Sequence, residues 1–534
     1  MTLVQGGPRE ERAVADTGPR PLIRCNDYSV LEPPPLGGWD PVLSVSVVVP
    51  AYGGQEKLDL TLASLAAQSY PVHLMEVVVV DDGSEPALVL PPIRPENTRI
   101  VPSLPGGWAR GHAVRSGAAA SDADALLFLD ADMIVFREHV EAQLRWHHLA
   151  DYLAVTGHLR CVDYTPGSLT PAQVRGAVER GEPQTLVEGP GEELEWLGRA
   201  YKRTGNLRTG GHTAFRHFIG ATGSVRRAFF EESGGAASEL VLGEDTHLGY
   251  RFAQHGAVFV PELDTSSWHL GRPQMETRKE DGARFRYPFV GNRLPLVGDN
   301  RKRVGRQWQV PRVDAVVDTV GRGFEEVAQT VDALLGGDTA DIRIRLVGEW
   351  GRVTPGRHGT IDDPAVDVRL VHENYRCEPR VEFVESEPAP DPDVPFRLRV
   401  GPGQPLARHA VEHMVKQADA AGAGLLRATA PGDDLGGPRL ERTAAFARAR
   451  RLGAGEHELD TMVDELFGTH WLDGQSQLFT PRDPVPETPS DWREQLERAG
   501  ARVEAQKVRV ERLKHRFHWL TRSRTGRFLC RIIG

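Results

Sequence analysis

Two valine runs constrain the fold more than any other feature of this chain. "LSVSVVVP" (43–50) and "MEVVVVDDGS" (75–84) are short and β-branched, which favours extended backbone. Between them, "KLDLTLASLAAQ" (57–68) sets Leu58, Leu62, Leu65 and Ala66 at helical spacing. Strand, helix, strand over 43–84 is a βαβ unit, and valine on successive positions implies a parallel sheet covered on both faces. A strand near 99–102, a helix over 109–121 and a strand at 125–129 extend the pattern. The predicted class is α/β.

The strand at 125–129 ends in an unexpected way. "LLFLDADMIV" places Asp130 and Asp132 between two apolar runs, and a carboxylate there is costly unless a cation or several donors satisfy it. Taken alone, D-x-D reads as an exposed turn. The other strands of the unit end in chemistry as well: Pro50 and Tyr52 after the first, Asp81, Asp82 and Ser84 after the second. Ligands of open α/β sheets bind outside the carboxyl ends of the strands, so these groups are expected to converge. Neither G-x-G-x-x-G after the first strand nor G-x-x-x-x-G-K-[ST] occurs, which disfavours a dinucleotide or P-loop site.

Further along, a helix is expected from about Arg137 through "EHVEAQLRWHHLA", another over 191–203, and two more at "SVRRAFFEESG" (224–234) and "EDTHLGYRFAQHG" (244–256), followed by the strand "AVFVPE". Residues 163–215 are rich in Gly, Pro and charge and read as an insertion over the sheet edge.

In this order, "VSVVVPAYGG", "VVVVDDGS", "LLFLDAD" and "GEDTHLGYRFAQHG" resemble the inverting family 2 glycosyltransferases that use nucleotide sugars and have the GT-A fold, a Rossmann-like mixed sheet. The resemblance covers residues 43–272. It implies that Asp82 accepts a hydrogen bond from the base, with Asp81 near the ribose and Pro50 and Tyr52 lining the base pocket. It places Asp130 at the ribose or metal, Asp132 on a divalent cation, Arg115 at the nucleotide sugar and His269 as a further metal ligand. Asp245 becomes the catalytic base, with Glu244 beside it. The chemistry asks for the same groups. A departing diphosphate needs Mn²⁺ or Mg²⁺, these ions prefer carboxylate oxygens, and an acceptor hydroxyl needs a base. The plain structural alternatives are a helix cap for Asp245, a structural histidine beside Trp268 for His269, a core thiol for Cys161, and a solvated surface for Arg278 and Lys279.

Residues 313–350 repeat the order strand, Gly-containing turn, helix, strand; Thr330 and Leu334 follow Thr61 and Leu65 at an offset of 269. There "VDTV" replaces "VVPAY", "GEWG" replaces "DDGS" and "VGPG" replaces "DAD", while "RLERTAAFARARRLG" echoes "GSVRRAFFEESGG". The expectation is a degenerate, non-catalytic second α/β domain of GT-A type. The expected boundaries are an extension (1–42) in which "LIRCNDYSV" packs as a strand, a catalytic domain (43–299), a basic linker (300–312), the second domain (313–483) and a helical tail (484–534).

In the tail, Leu496, Val503, Val510 and Phe517 recur every seven residues, and from 491 onward 12 Arg/Lys stand against 5 Asp/Glu. The stripe suits a homodimer; the basic end with Trp519 and Phe528 suits peripheral contact with anionic lipid. A net charge of −10 argues against general nucleic-acid binding. With no apolar leader or long apolar run, and four scattered cysteines, a cytoplasmic location is expected, with peripheral contact at the inner membrane face as the alternative. The expected function is inverting, metal-dependent transfer from a nucleoside diphosphate sugar, UDP by default, to a glycan, lipid-linked sugar, natural product or protein. The alternatives are an inactivated glycan-binding scaffold and a sugar nucleotidyltransferase.

Overall fold

The computed structural model describes residues 18–296, 301, 306–360, 362–429, 436–473 and 478–479, with positions 500, 501, 504, 507 and 514 of the tail. Residues 1–479 form one compact unit and 480–534 another. The heptad stripe Leu496, Val503, Val510 and Phe517 and the aromatic end lie outside the described residues.

The first sheet holds β1 (Val45–Ala51), β2 (Met75–Asp81), β3 (Thr98–Pro102), β4 (Ala125–Leu129), β6 (Leu153–Gly157), β9 (Thr222–Arg226) and β10 (Val258–Glu262). Their order is β10-β6-β9-β4-β1-β2-β3, and β9 alone runs antiparallel to its neighbours. Val45, Val47, Val48 and Val49 are fully buried, as are Val77 to Val80, because helices cover both faces. Burying each such side chain stabilises the fold by roughly 1.5–3 kcal/mol. A small second sheet, β5 (Met133–Val135), β7 (Arg160–Val162), β8 (Glu192–Glu193) and β11 (Ser267–Leu270), is ordered β5-β11-β7-β8.

The third sheet contains β12 (Val313–Asp318), β13 (Ile342–Val347), β14 (Val381–Val384), β15 (Phe396–Arg399), β16 (Leu425–Ala428), β17 (Arg439–Arg442) and β18 (Thr469–Leu472). Its order, β18-β16-β17-β15-β12-β13-β14, repeats the first sheet strand for strand, down to one antiparallel strand at β17. Val45 pairs with Ala125 and Val313 with Phe396, so five residues on from each, Gly401 stands where Asp130 stands. The second domain has the layer arrangement expected of a GT-A copy. Among the described residues it has no counterpart of the small sheet.

The structure corrects two local readings. Residues 224–234 are not one helix: Thr222–Arg226 is β9, a central strand, and the helix is Arg227–Glu232. Its pairing with β4 and β6, distant in sequence, overrides the local pattern. "LIRCNDYSV" is not a strand but a strap, with a short 3-10 turn at Tyr28–Val30. Asn26 bonds the backbone of Leu207 and Phe259, and Arg448 of the second domain bonds Ile23 and Cys25. The strap thus binds both domains.

Candidate active site

The carboxyl ends of β1, β2 and β4 open onto a pocket of about 710 Å³. Pro50, Tyr52, Asp82, Asp130 and Asp132 line it, as the sequence implies, and so do Lys57, Trp108 and Arg110. Two helices bring these last three in. α1 (Gln55–Leu65) starts after Gly53 and Gly54 and carries Lys57 in its first turn. α2 (Ala109–Ala119) presses directly onto the sheet: a Cβ on Gly117 would lie 2.4 Å from Val48 Cγ1. Only glycine allows that approach.

The D-x-D loop is held from below and paired from above. Thr61 Oγ1 donates to Ala131 O at 2.9 Å and accepts from Met133 N at 3.1 Å. Arg110 Nε donates to Asp130 Oδ1 at 2.8 Å, and its Nη1 lies 3.6 Å from Glu244 Oε1. Arg110 is half-buried, yet the carboxylates of Asp130 and Glu244 outweigh desolvation and keep it charged. Lys57 Nζ donates to Asp132 Oδ2 at 3.2 Å and to Leu270 O at 2.6 Å.

Ligand atoms of Asp130, Asp132 and His269 lie within 4.8 Å of one another. His269 comes from β11, paired with β5 just after the aspartates. Its Nδ1 lies 2.8 Å from Gly271 O, and a carbonyl only accepts, so Nδ1 carries the proton and Nε2 presents a lone pair. That Nε2 faces Asp132 Oδ1 at 3.6 Å. Two electron-pair donors facing each other satisfy a cation between them, and the carboxylates suit Mn²⁺ or Mg²⁺.

Glu244 and Asp245 open the helix Glu244–Gln254 behind Gly243, whose φ of +87° suits glycine. Glu244 is buried; desolvation first, then the charge of Asp245, raises its carboxyl to about 7 against the pull of Arg110. Asp245 is half-buried and accepts from Thr246 N at 2.6 Å.

Two residues sit differently from the sequence expectation. Asp81 does not line the pocket: its oxygens accept from Ser84 N (2.8 Å) and Leu88 N (3.1 Å) and organise the turn after β2. Arg115 is exposed on α2 and also absent from the lining. Five residues beyond Arg110 at 100° each put it on another face of the helix, so Arg110 is the arginine that reaches D-x-D. Asp82 lines the pocket but accepts from Ser103 Oγ (2.6 Å) and Ala109 N (2.7 Å), tying down the segment that carries Trp108. Cys161 is buried, and burial pushes its thiol to about 11. Arg278 is exposed and paired with Asp281. Nothing in the local pattern singles out Lys57 or Trp108; Arg110 was visible only as a second arginine in "ARGHAVRSG".

The glycosyl transferase family 2 model matches residues 46–232. Over that segment the chain is similar to glycosyl transferase family 2. Validoxylamine A glucosyltransferase of Streptomyces hygroscopicus subsp. jinggangensis is 28% identical over 254 residues, 46% of this chain and 58% of the relative. An uncharacterized glycosyltransferase, YfnE of Bacillus subtilis, is 25% identical over 264 residues, 43% of this chain and 66% of that protein. The chain thus spans about three-fifths of the length of these curated relatives. Among solved structures, a mannosyltransferase from Pyrobaculum calidifontis in complex with GDP-Man and Mn²⁺ is 17% identical, with a TM-score of 0.31 over 47% of this chain and 64% of that one.

Proposed function

We propose that the first domain transfers a hexosyl group from a nucleoside diphosphate sugar to an acceptor hydroxyl by single displacement, with inversion. The observation that carries this reading is the Asp130–Asp132–His269 cluster at a pocket floored by the carboxyl ends of three parallel strands. The exposed rings of Tyr52 and Trp108 at the pocket offer faces for a base. Asp130, Asp132 and His269 would hold the divalent ion, which when bound offsets the charge of the departing diphosphate. Asp245, half-open to solvent, takes the acceptor proton. Glu244 and Arg110 fix the distance between the base and D-x-D, because one guanidinium bonds Asp130 and pairs with Glu244.

The relative named for glucosylating validoxylamine A makes that compound the first acceptor to screen. The third sheet, with Gly401 at the position of Asp130, serves as a non-catalytic partner domain. A thermal-shift panel of UDP- and GDP-sugars with and without Mn²⁺ tests the reading. Metal-dependent stabilisation by one donor is expected; no response to any donor would overturn it.

A further inference from the structure

Each aspartate of D-x-D already has its own cation. Asp130 bonds Arg110, and Asp132 bonds Lys57. The two oxygens of Asp132 face different ways: Oδ1 lies 3.6 Å from His269 Nε2, while Oδ2 lies 3.2 Å from Lys57 Nζ. An ion held by Oδ1 and His269 therefore need not displace the lysine.

Lys57 also lines the donor pocket, with a side chain about one-third exposed. Its ammonium has three donors, and the described hydrogen bonds use two, to Asp132 and Leu270, with the Tyr164 ring 5.9 Å away. A lysine that merely braced α1 against β11 would need only Leu270 O and could be buried. This one is kept beside a carboxylate and open to the cavity. The first turn of α1, which carries it, adds partial positive charge in the same direction.

We propose that Lys57 is a ligand of the donor diphosphate that shares Asp132 with the metal. Oδ1 and His269 serve the metal, Oδ2 holds the ammonium, and the remaining N–H meets a phosphate oxygen. This rests on the transferase reading and adds a consequence of opposite sign for the two ligands. A fixed positive charge close to the ion weakens metal binding in the empty site, yet strengthens binding of the diphosphate.

The test is Mn²⁺ titration followed by electron paramagnetic resonance, and calorimetric titration of UDP and GDP at saturating Mn²⁺, on the full chain. Lys57→Met is expected to bind Mn²⁺ about threefold or more tighter in the absence of nucleotide, since a like charge within a few ångströms has gone. The same variant should bind the preferred diphosphate about tenfold or more weakly, and Lys57→Arg should restore most of that loss. Should Lys57→Met fail to fold, Lys57→Gln retains a donor to Leu270 without the charge and takes its place. Unchanged or weaker Mn²⁺ binding overturns the shared carboxylate; unchanged diphosphate binding overturns the contact. Inert Lys57 variants of a wild type that binds both probes sink this inference alone. A wild type that binds neither probe sinks the transferase reading with it.

Discussion

The hydroxyl of Thr61 donates to the carbonyl of Ala131 at 2.9 Å, directly beneath the middle residue of D-x-D. In the second domain Thr330 Oγ1 donates to Gly401 O at 3.1 Å and accepts from Gln404 N at 3.0 Å. The same threonine supports the same loop in both copies, although the loop has kept its carboxylates in only one. The support is therefore separable from the chemistry. Thr61→Val should weaken Mn²⁺ binding about tenfold with a modest loss of stability, roughly 1–3 kcal/mol for orphaned partners. Thr330→Val should cost similar stability and leave Mn²⁺ affinity untouched. Equal effects of both on metal binding would refute the distinction.

Asp132→Asn keeps the shape of the side chain but removes the charge that a cation needs. Loss of Mn²⁺-dependent donor binding is expected, with an unchanged circular dichroism spectrum. Turnover within a factor of two of wild type would remove Asp132 from the metal site.

Asp245→Asn should act on transfer alone. Donor affinity is expected to stay within threefold, while transfer falls by roughly 10²–10⁴. Loss of donor binding instead would move Asp245 to the nucleotide side of the pocket.

Glu244 supplies a pH signature. Its carboxyl is raised from 4.5 to about 7 in the fold, mainly by burial. The native state then holds the proton that the unfolded chain releases, so this contribution is complete below pH 4.5 and is lost as pH rises to 7. Buried His147 works in the opposite direction: burial lowers it to about 3, so its contribution is present above pH 6.5 and lost on acidification. Urea unfolding of wild type and Glu244→Gln at pH 5 and pH 7 isolates the first effect. The variant should gain stability relative to wild type on going to pH 7, and a pH-independent difference would argue against the raised carboxyl.

Arg448 joins the two domains without a carboxylate. Its guanidinium donates to the carbonyls of Gly256 (2.8 Å), Ala257 (2.6 Å), Ile23 (3.2 Å) and Cys25. Desolvation lowers its pKa to about 10, so it stays charged at neutral pH. Arg448→Met orphans four acceptors and should cost roughly 3 kcal/mol or more. The neighbouring Arg450→Ala, at a more exposed position, should stay within about 0.5 kcal/mol. Similar melting temperatures for the two variants would show that the carbonyl cluster is solvated.

The readable parts of this molecule are those written in local pattern. Val45–Ala51, Met75–Asp81 and Ala125–Leu129 appear as apolar runs because both of their faces are covered, and the groups at their ends follow from chain order. Thr222–Arg226 was not legible, because a segment with one apolar residue, Val225, becomes a strand only between β4 and β6. The Arg110 pairing depends on a left-handed Ala109 at the start of α2, a backbone state that an alanine does not advertise. Lys57 looked like an ordinary polar residue of a first helical turn. Its partner Leu270 O lies 213 positions away, and only the small sheet brings it there.

The small sheet has a consequence for what single substitutions can do. It supplies β11, and β11 supplies His269; among the described residues the duplicated domain has neither. Replacing Gly401 and Gly403 with aspartate would put acids on an edge that, among the described residues, lacks the histidine and the strand to carry it. Point substitution at those two positions therefore cannot by itself rebuild the cluster. Among the described residues, the metal cluster is thus a joint product of two sheets, and the third sheet repeats only one of them.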